Sequence, residues 1–129
     1  MMIDQHIDFK DYRKEYLKSE LLESTALDSP FKQFEQWAES AIKMNLYEPN
    51  AMILSTATAS GRPSNRVVLL KEYSDDGFVF FTNYNSKKAM QISENPFASL
   101  LFYWPSLERE ISVEGSMIKT SDQESDNYF

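Results

Sequence analysis

The chain has 129 residues, 42% of them hydrophobic, enough for one domain with a modest core. Its formal net charge of -7 argues against general nucleic-acid binding, which needs a basic surface to neutralise phosphates. It has no cysteine, which excludes disulfides, thiolate metal sites and cysteine nucleophiles.

The N-terminus lacks a basic region followed by an apolar core, and no run is long enough to span a bilayer, so the chain reads as a soluble cytoplasmic protein without membrane or nucleic-acid partners. The single histidine, His6, lies in a polar tail and reads as solvated. A histidine metal site or a Ser-His triad has nothing else to be built from.

Residues 8–23 place Phe9, Tyr12, Tyr16 and Leu17 at helical spacing among charges, as in an amphipathic surface helix. Ser29 can cap a second helix, with Pro30 in its first turn. That helix, Phe31–Met44, sets Phe31, Phe34, Trp37, Ala38, Ala41 and Ile42 on one stripe facing a core. Pro49 ends it.

The period then changes to that of strands. Ala51–Ala57 is apolar and β-prone, Ser60–Pro63 is a turn, and Asn65–Tyr73 is a second strand. Asp75–Gly77 is a hairpin turn into Phe78–Thr82. Asn85 or Ser86 can cap a helix over Lys87–Glu94, stopped by Asn95-Pro96. Phe97–Trp104 and Glu108–Lys119 are the fourth and fifth strands, with Gly115 suited to a bulge. Five strands joined mostly by hairpins predict a mainly β fold with flanking helices, an antiparallel sheet curled into a small barrel.

Four cations, Arg66, Lys71, Lys87 and Lys88, fall in one window of this acidic chain. Cations at strand ends and at a helix start suit a small anion such as a phosphate ester. Arg66 and Lys71 are five residues apart, so a regular strand points them to opposite faces. Either the strand bends or bulges so that both reach one anion, or they serve different parts of a ligand, or they are strand-end charges in water. Ser86, Lys87 and Lys88 supply a hydroxyl, two ammonium groups and free backbone N–H groups, a pattern shared by phosphate cradles and by ordinary solvated helices. Thr82 adds a hydroxyl beside them or is an ordinary strand residue. Glu108, Arg109 and Glu110 read as a cross-strand ion-pair ladder, and Tyr103 and Trp104 as packing at a barrel edge or a subunit contact. No nucleophile–base pair is visible, so an enzyme built on this chain leaves the chemistry to a cofactor, and a phosphate cradle beside a barrel suits FMN.

The segments NRVVLLK, FVFFTNYNSKKAMQI, NPFASLLFYWPSLERE and YRKEY together resemble the pyridoxamine 5'-phosphate oxidase family, in that family's order and over nearly the whole chain from Tyr12 to Phe129. The resemblance implies a homodimeric FMN-binding split β-barrel with the flavin at the subunit interface. It implies oxidation of pyridoxamine or pyridoxine 5'-phosphate to pyridoxal 5'-phosphate in vitamin B6 metabolism, with O2 as acceptor and H2O2 as by-product.

By the same resemblance, Arg66, Lys87 and Lys88 hold the flavin phosphate, and the strand of Arg66, Val67, Val68, Leu69, Leu70 and Lys71 lines the flavin. Phe81 and Thr82 contact the flavin, and Glu110 stands where a flavin-contacting glutamine is usual. Lys71 and Tyr128 contact the substrate phosphate, and Arg13, Lys14, Glu15 and Tyr16 belong to a segment that closes over the site. Lys87 stands where arginine is frequent, which keeps the charge but loses the bidentate fork. The family continues beyond the equivalent of Phe129 with further flavin contacts and an Arg-x-His substrate motif, so the chain reads as a fragment or a truncated relative. A non-catalytic flavin- or pyridoxal-phosphate-binding protein of the same barrel type is the alternative function, and a dimerisation domain without ligand a third.

Overall fold

The computed structural model describes residues 8–12, 26–82 and 86–119, with the side chains of 86–89 outside the described set. The described elements run α1 (Pro30–Lys43), β1 (Ala51–Ala57), β2 (Pro63–Ser74), β3 (Gly77–Phe81), α2 (Ser86–Glu94), β4 (Phe97–Trp104), a 3-10 turn (Pro105–Leu107) and β5 (Arg109–Ser116).

Helix α1 starts where its capping chemistry places it. The Ser29 hydroxyl accepts from the Lys32 N–H at 3.5 Å, and Pro30 occupies the first turn, where no intrahelical donor is needed. Of the expected apolar stripe, Phe34 and Ala41 are buried and Trp37 and Ala38 pack against the core. Ile42 is 62% exposed although its neighbour Ala41 is fully buried, so it lies at the edge of the stripe and turned away from the sheet.

The five strands form one antiparallel sheet in the order β3-β2-β1-β4-β5. Its inner face packs on α1 around Met52, Leu54, Val68, Leu100, Phe102 and Trp104. The Phe34 ring lies 4.9 Å from Tyr73, 5.2 Å from Phe78 and 5.1 Å from Phe102, centre to centre, in tilted and edge-on arrangements that aromatic quadrupoles favour. The sheet is curled but open. The end strands β3 and β5 are not paired with each other, and a groove of about 480 Å³ lies between them, walled by Phe78, Phe80, Val113 and Met117 among others. Among the described residues the expected barrel is therefore a half-barrel.

Several expected details differ. Strand β5 begins at Arg109, because Glu108 takes a left-handed φ of 54° on leaving the 3-10 turn. Gly115 sits in regular register opposite Ala98, so the bulge expected there is absent. The irregularity lies in β2, between Leu70 and Glu72. Arg109 faces Trp104 across the strands and Glu110 faces Tyr103, so neither has a charge opposite it, and the expected ion-pair ladder does not form at these two positions. The Arg109 guanidinium instead stacks 4.6 Å from the Trp37 ring centre, a cation–π contact between β5 and α1. Residues 8–12 of the expected first helix form an exposed turn closed by Tyr12 N–H to the Phe9 carbonyl at 3.0 Å, and the rest of that helix lies outside the described residues. No helix among the described residues is long and apolar enough to cross a membrane.

Candidate functional site

Strand β2 carries most of the candidate residues, and its alternation explains where each points. Arg66 is half-buried, Val68 is buried and Leu70 is partly buried, and their cross-strand partners on β1 include the buried Leu54 and Met52. These three share the inner face. Val67 is 70% exposed and Leu69 is 37% exposed, so they occupy the outer face.

After Leu70 the alternation breaks. Leu70 pairs with Phe80, but the next pair is Glu72 with Val79, which leaves Lys71 as the extra residue of a β-bulge. Tyr73 then returns to the inner face, edge-on to Phe34. The bulge thus places Lys71 and Glu72 together on the outer face. The Lys71 ammonium lies 4.5 Å from the ring centre of Phe81, whose cross-strand partner is the outward Leu69. Arg66 and Lys71 therefore occupy opposite faces of the sheet. They do not reach one anion within a single chain, which leaves, of the arrangements open at the outset, contacts with different parts of a ligand or charges in water.

On the inner face, Arg66 Nη2 donates to the Thr56 hydroxyl at 3.1 Å and to the Ser64 hydroxyl at 2.9 Å. Two hydroxyls on adjacent strands thus fix one nitrogen and leave the rest of the guanidinium fork to be directed elsewhere. Arg66, Thr82, Gln91 and Ile92 wall one cavity with Leu54 and Met117, so the tertiary structure brings the β2 arginine, the end of β3 and the side of α2 together. That cavity is only about 20 Å³, room for a single water. A flavin ring does not fit inside it and would have to lie outside, against the strand ends. The donors that line it are the Arg66 guanidinium, the Thr82 hydroxyl and the Gln91 amide, the last from the C-terminal half of α2, a set that suits a small anion such as a phosphate group.

Lys87 and Lys88 occupy the second and third positions of α2, which puts them at its N-terminal end. Phe81 is buried beneath Lys71, and Thr82 follows it directly. Glu110 is exposed on β5 opposite Tyr103, on the same outer face as Lys71 and two strands beyond β1. Arg13, Lys14, Glu15, Tyr16 and Tyr128 lie outside the described residues. Among the described residues no group of three or more acidic or histidine side chains is placed to hold a metal.

One participant has no sequence motif. Asn50, in the turn before β1, grips Leu70 with both its main chain and its side chain. The bulge itself did leave a signal, since the apolar inner positions fall at 68 and 70 and then at 73, a change from even to odd.

Comparison with known proteins shows the family and the fold. The family model described as pyridoxamine 5'-phosphate oxidase matches residues 38–129. A pyridoxine/pyridoxamine 5'-phosphate oxidase of Rubrobacter xylanophilus is 51% identical over 122 residues, covering 95% of this chain and 56% of that protein. Proteins of the same name are 51% identical in Bordetella pertussis and 52% identical in Paraburkholderia phymatum, each over 119 residues, or 92% of this chain. The chain spans a little over half the length of these curated relatives. Among solved structures, PhzG from Burkholderia lata, crystallised with tetrahydrophenazine-1-carboxylic acid, superposes with a TM-score of 0.73 at 30% identity, covering 81% of this chain and 52% of that one. A pyridoxamine 5'-phosphate oxidase-related, FMN-binding protein from Nostoc punctiforme gives a TM-score of 0.58 at 26% identity, covering 68% of this chain and 47% of that one. The curled antiparallel sheet is that of the split-barrel proteins, and the chain belongs to the pyridoxamine 5'-phosphate oxidase family.

Proposed function

We propose that this chain is the FMN-binding part of an oxidase acting on pyridoxamine and pyridoxine 5'-phosphates. The observation that carries the reading is the 51% identity to enzymes of that name over 95% of the chain. The two-faced arrangement of β2 supports it, because a reaction between two phosphorylated molecules needs two phosphate sites kept apart. In this reading Arg66 binds the FMN phosphate with Lys87, Lys88 and the N–H groups at the start of α2. The β2 segment through Val67, Val68, Leu69 and Leu70 supports the flavin, with Phe81, Thr82 and Glu110 at its rim. Lys71, on the other face, binds the substrate phosphate with Tyr128, while Arg13, Lys14, Glu15 and Tyr16 close over it.

Bound FMN would supply a two-electron acceptor for oxidation of the substrate's amine- or alcohol-bearing carbon, with dioxygen as final acceptor and hydrogen peroxide released. The share of the chain's own residues is anchoring and orientation, the part of catalysis that holds reacting groups in a productive geometry. Glu110 offers only acceptors when ionised, unlike a glutamine amide, so it would take a donor from its ligand.

The outer face supports a homodimer. Val67, Leu69 and Tyr103 are exposed on it, with Ile53 and Leu101 opposite Val67 across the strands, and an exposed apolar cluster of this kind marks interaction surfaces. A two-fold pairing through this face would bring Lys71 of each copy to the interface.

A second reading, a flavin- or pyridoxal-phosphate-binding module without turnover, is favoured by the likeness to an FMN-binding protein described as oxidase-related. FMN titration followed by pyridoxine 5'-phosphate in air, with peroxide detection, separates the two. Binding with peroxide supports the oxidase, binding without peroxide supports the module, and no uptake of flavin rejects the oxidase and the flavin-binding form of the module.

A further inference from the structure

Antiparallel pairing of β1 with β2 ends at Ala51 opposite Leu69. The next pair in that register is Asn50 with Leu70, where a regular ladder exchanges two main-chain bonds. Only one is made by the main chain, from the Leu70 N–H to the Asn50 carbonyl at 2.9 Å. The chain is still turning at this point, with Glu48 at φ 41°, and the second bond comes from the side chain. Asn50 Nδ2 donates to the Leu70 carbonyl at 3.2 Å. An amide side chain thus takes the place of a missing ladder donor.

The Leu70 carbonyl belongs to the peptide plane shared with Lys71, the plane on which the bulge begins. Fixing it sets the direction in which Lys71 leaves the strand, out of the inner face and across Phe81. The turn that carries Asn50 is itself held from the other side, where Trp104 Nε1 donates to the Pro49 carbonyl at 3.0 Å. The grip therefore joins the rigid aromatic core to the most irregular residue of β2.

We propose that Asn50 is a positioning residue for Lys71, holding the bulged peptide so that the ammonium group is presented on the outer face to a phosphate ester. This rests on the reading of Lys71 as a substrate-phosphate contact. It assigns a role to a turn residue that touches neither ligand in that reading.

The test is a double-mutant cycle with Asn50→Asp and Lys71→Ala, read as the affinity of the FMN-loaded protein for pyridoxine 5'-phosphate. The Asn50→Asp change keeps the shape of the side chain and replaces its amide donor with a second acceptor. N50D is expected to weaken binding about fivefold, the worth of one hydrogen bond, when Lys71 is present and to have no effect when K71A is present. It is also expected to raise amide exchange at Lys71 and Glu72 in the ligand-free protein while the thermal midpoint stays within a few degrees. An equal loss with and without K71A would make Asn50 merely structural and overturn the proposal. A loss from K71A with none from N50D, or unchanged exchange at Lys71 and Glu72, would overturn it while leaving the reading of Lys71 intact. A K71A variant that binds as well as the parent, or a parent that binds no pyridoxine 5'-phosphate, would remove that reading and the proposal with it.

Discussion

The two hairpins at the ends of the sheet are built differently. β4 and β5 pair over eight consecutive positions without a break, from Phe97 opposite Ser116 to Trp104 opposite Arg109. β2 and β3 pair over five positions with a register shift at Lys71. The regular hairpin supplies Leu100, Phe102 and Trp104 to the core. The irregular one supplies the candidate ligand contacts Arg66, Lys71, Phe81 and Thr82. Regular alternation is the efficient way to bury one face of a strand, whereas a bulge releases a residue from the core pattern and lets it be aimed. Strands β2 and β3 also bury Val68 and Phe81, and β5 carries Glu110, so the contrast is one of regularity, and substitutions should separate core positions from site positions.

The largest effect should come from the regular side. Phe102 is 1% exposed and touches Phe34, Phe78 and Trp104, so Phe102→Ala should cost about 3–5 kcal/mol, a large share of a small domain's stability. Chemical denaturation would show this, and flavin binding should fail along with the fold.

Arg66→Ala should do the opposite. Flavin affinity should fall about tenfold or more, the usual cost of one charge-assisted phosphate contact, while the denaturation midpoint hardly moves. Fluorescence titration of FMN measures it, and a variant that unfolds would blur the division between the two hairpins.

Deleting Lys71 sharpens the comparison further. Leu70, Glu72 and Tyr73 would then follow regular in-out-in alternation opposite Phe80, Val79 and Phe78. The hairpin should keep its stability to within about 1 kcal/mol, on the scale of a surface change, and lose its affinity for pyridoxine 5'-phosphate. Leu69→Lys, on the outer face, should shift a dimer toward monomer in sedimentation without a matching loss of helix and sheet signal.

The smallest effect concerns Tyr73. Its phenol titrates above the ordinary tyrosine range, because burial disfavours the phenolate and Glu35 and Glu39 on α1 add negative charge. A raised pKa in the folded state means that the unfolded chain gives up its proton first. The associated stability is complete below the ordinary tyrosine pKa, about 10, and is lost as pH rises through the folded value. Tyr73→Phe should flatten the alkaline limb of the stability curve and leave flavin binding unchanged.

Much of this was legible in the residues. Ser29 and Pro30 start α1, the Asp75–Gly77 turn makes the β2–β3 hairpin, and both β1 and β4 occupy the bounds that their apolar runs suggest. The family motifs added what periodicity could not, the family to which the chain belongs. What stayed illegible were features that depend on a partner strand. Gly115 looked suited to a bulge and is regular, whereas the bulge lies at Lys71, marked only by the shift of apolar positions from even to odd around it. Arg109 looked ready for a salt bridge and lies on Trp37, a residue of a distant helix.

The sequence by itself determined the elements, because caps, turn residues and the spacing of apolar side chains act within a few residues of chain. Tertiary structure alone decided that Glu72 joins Lys71 on the outer face, that Thr82 and α2 close around Arg66, and that Asn50 completes the ladder at Leu70. The physical reason is that the facing of a strand residue is set by register against its neighbours, and register is fixed by which apolar rows must meet across the sheet and against α1.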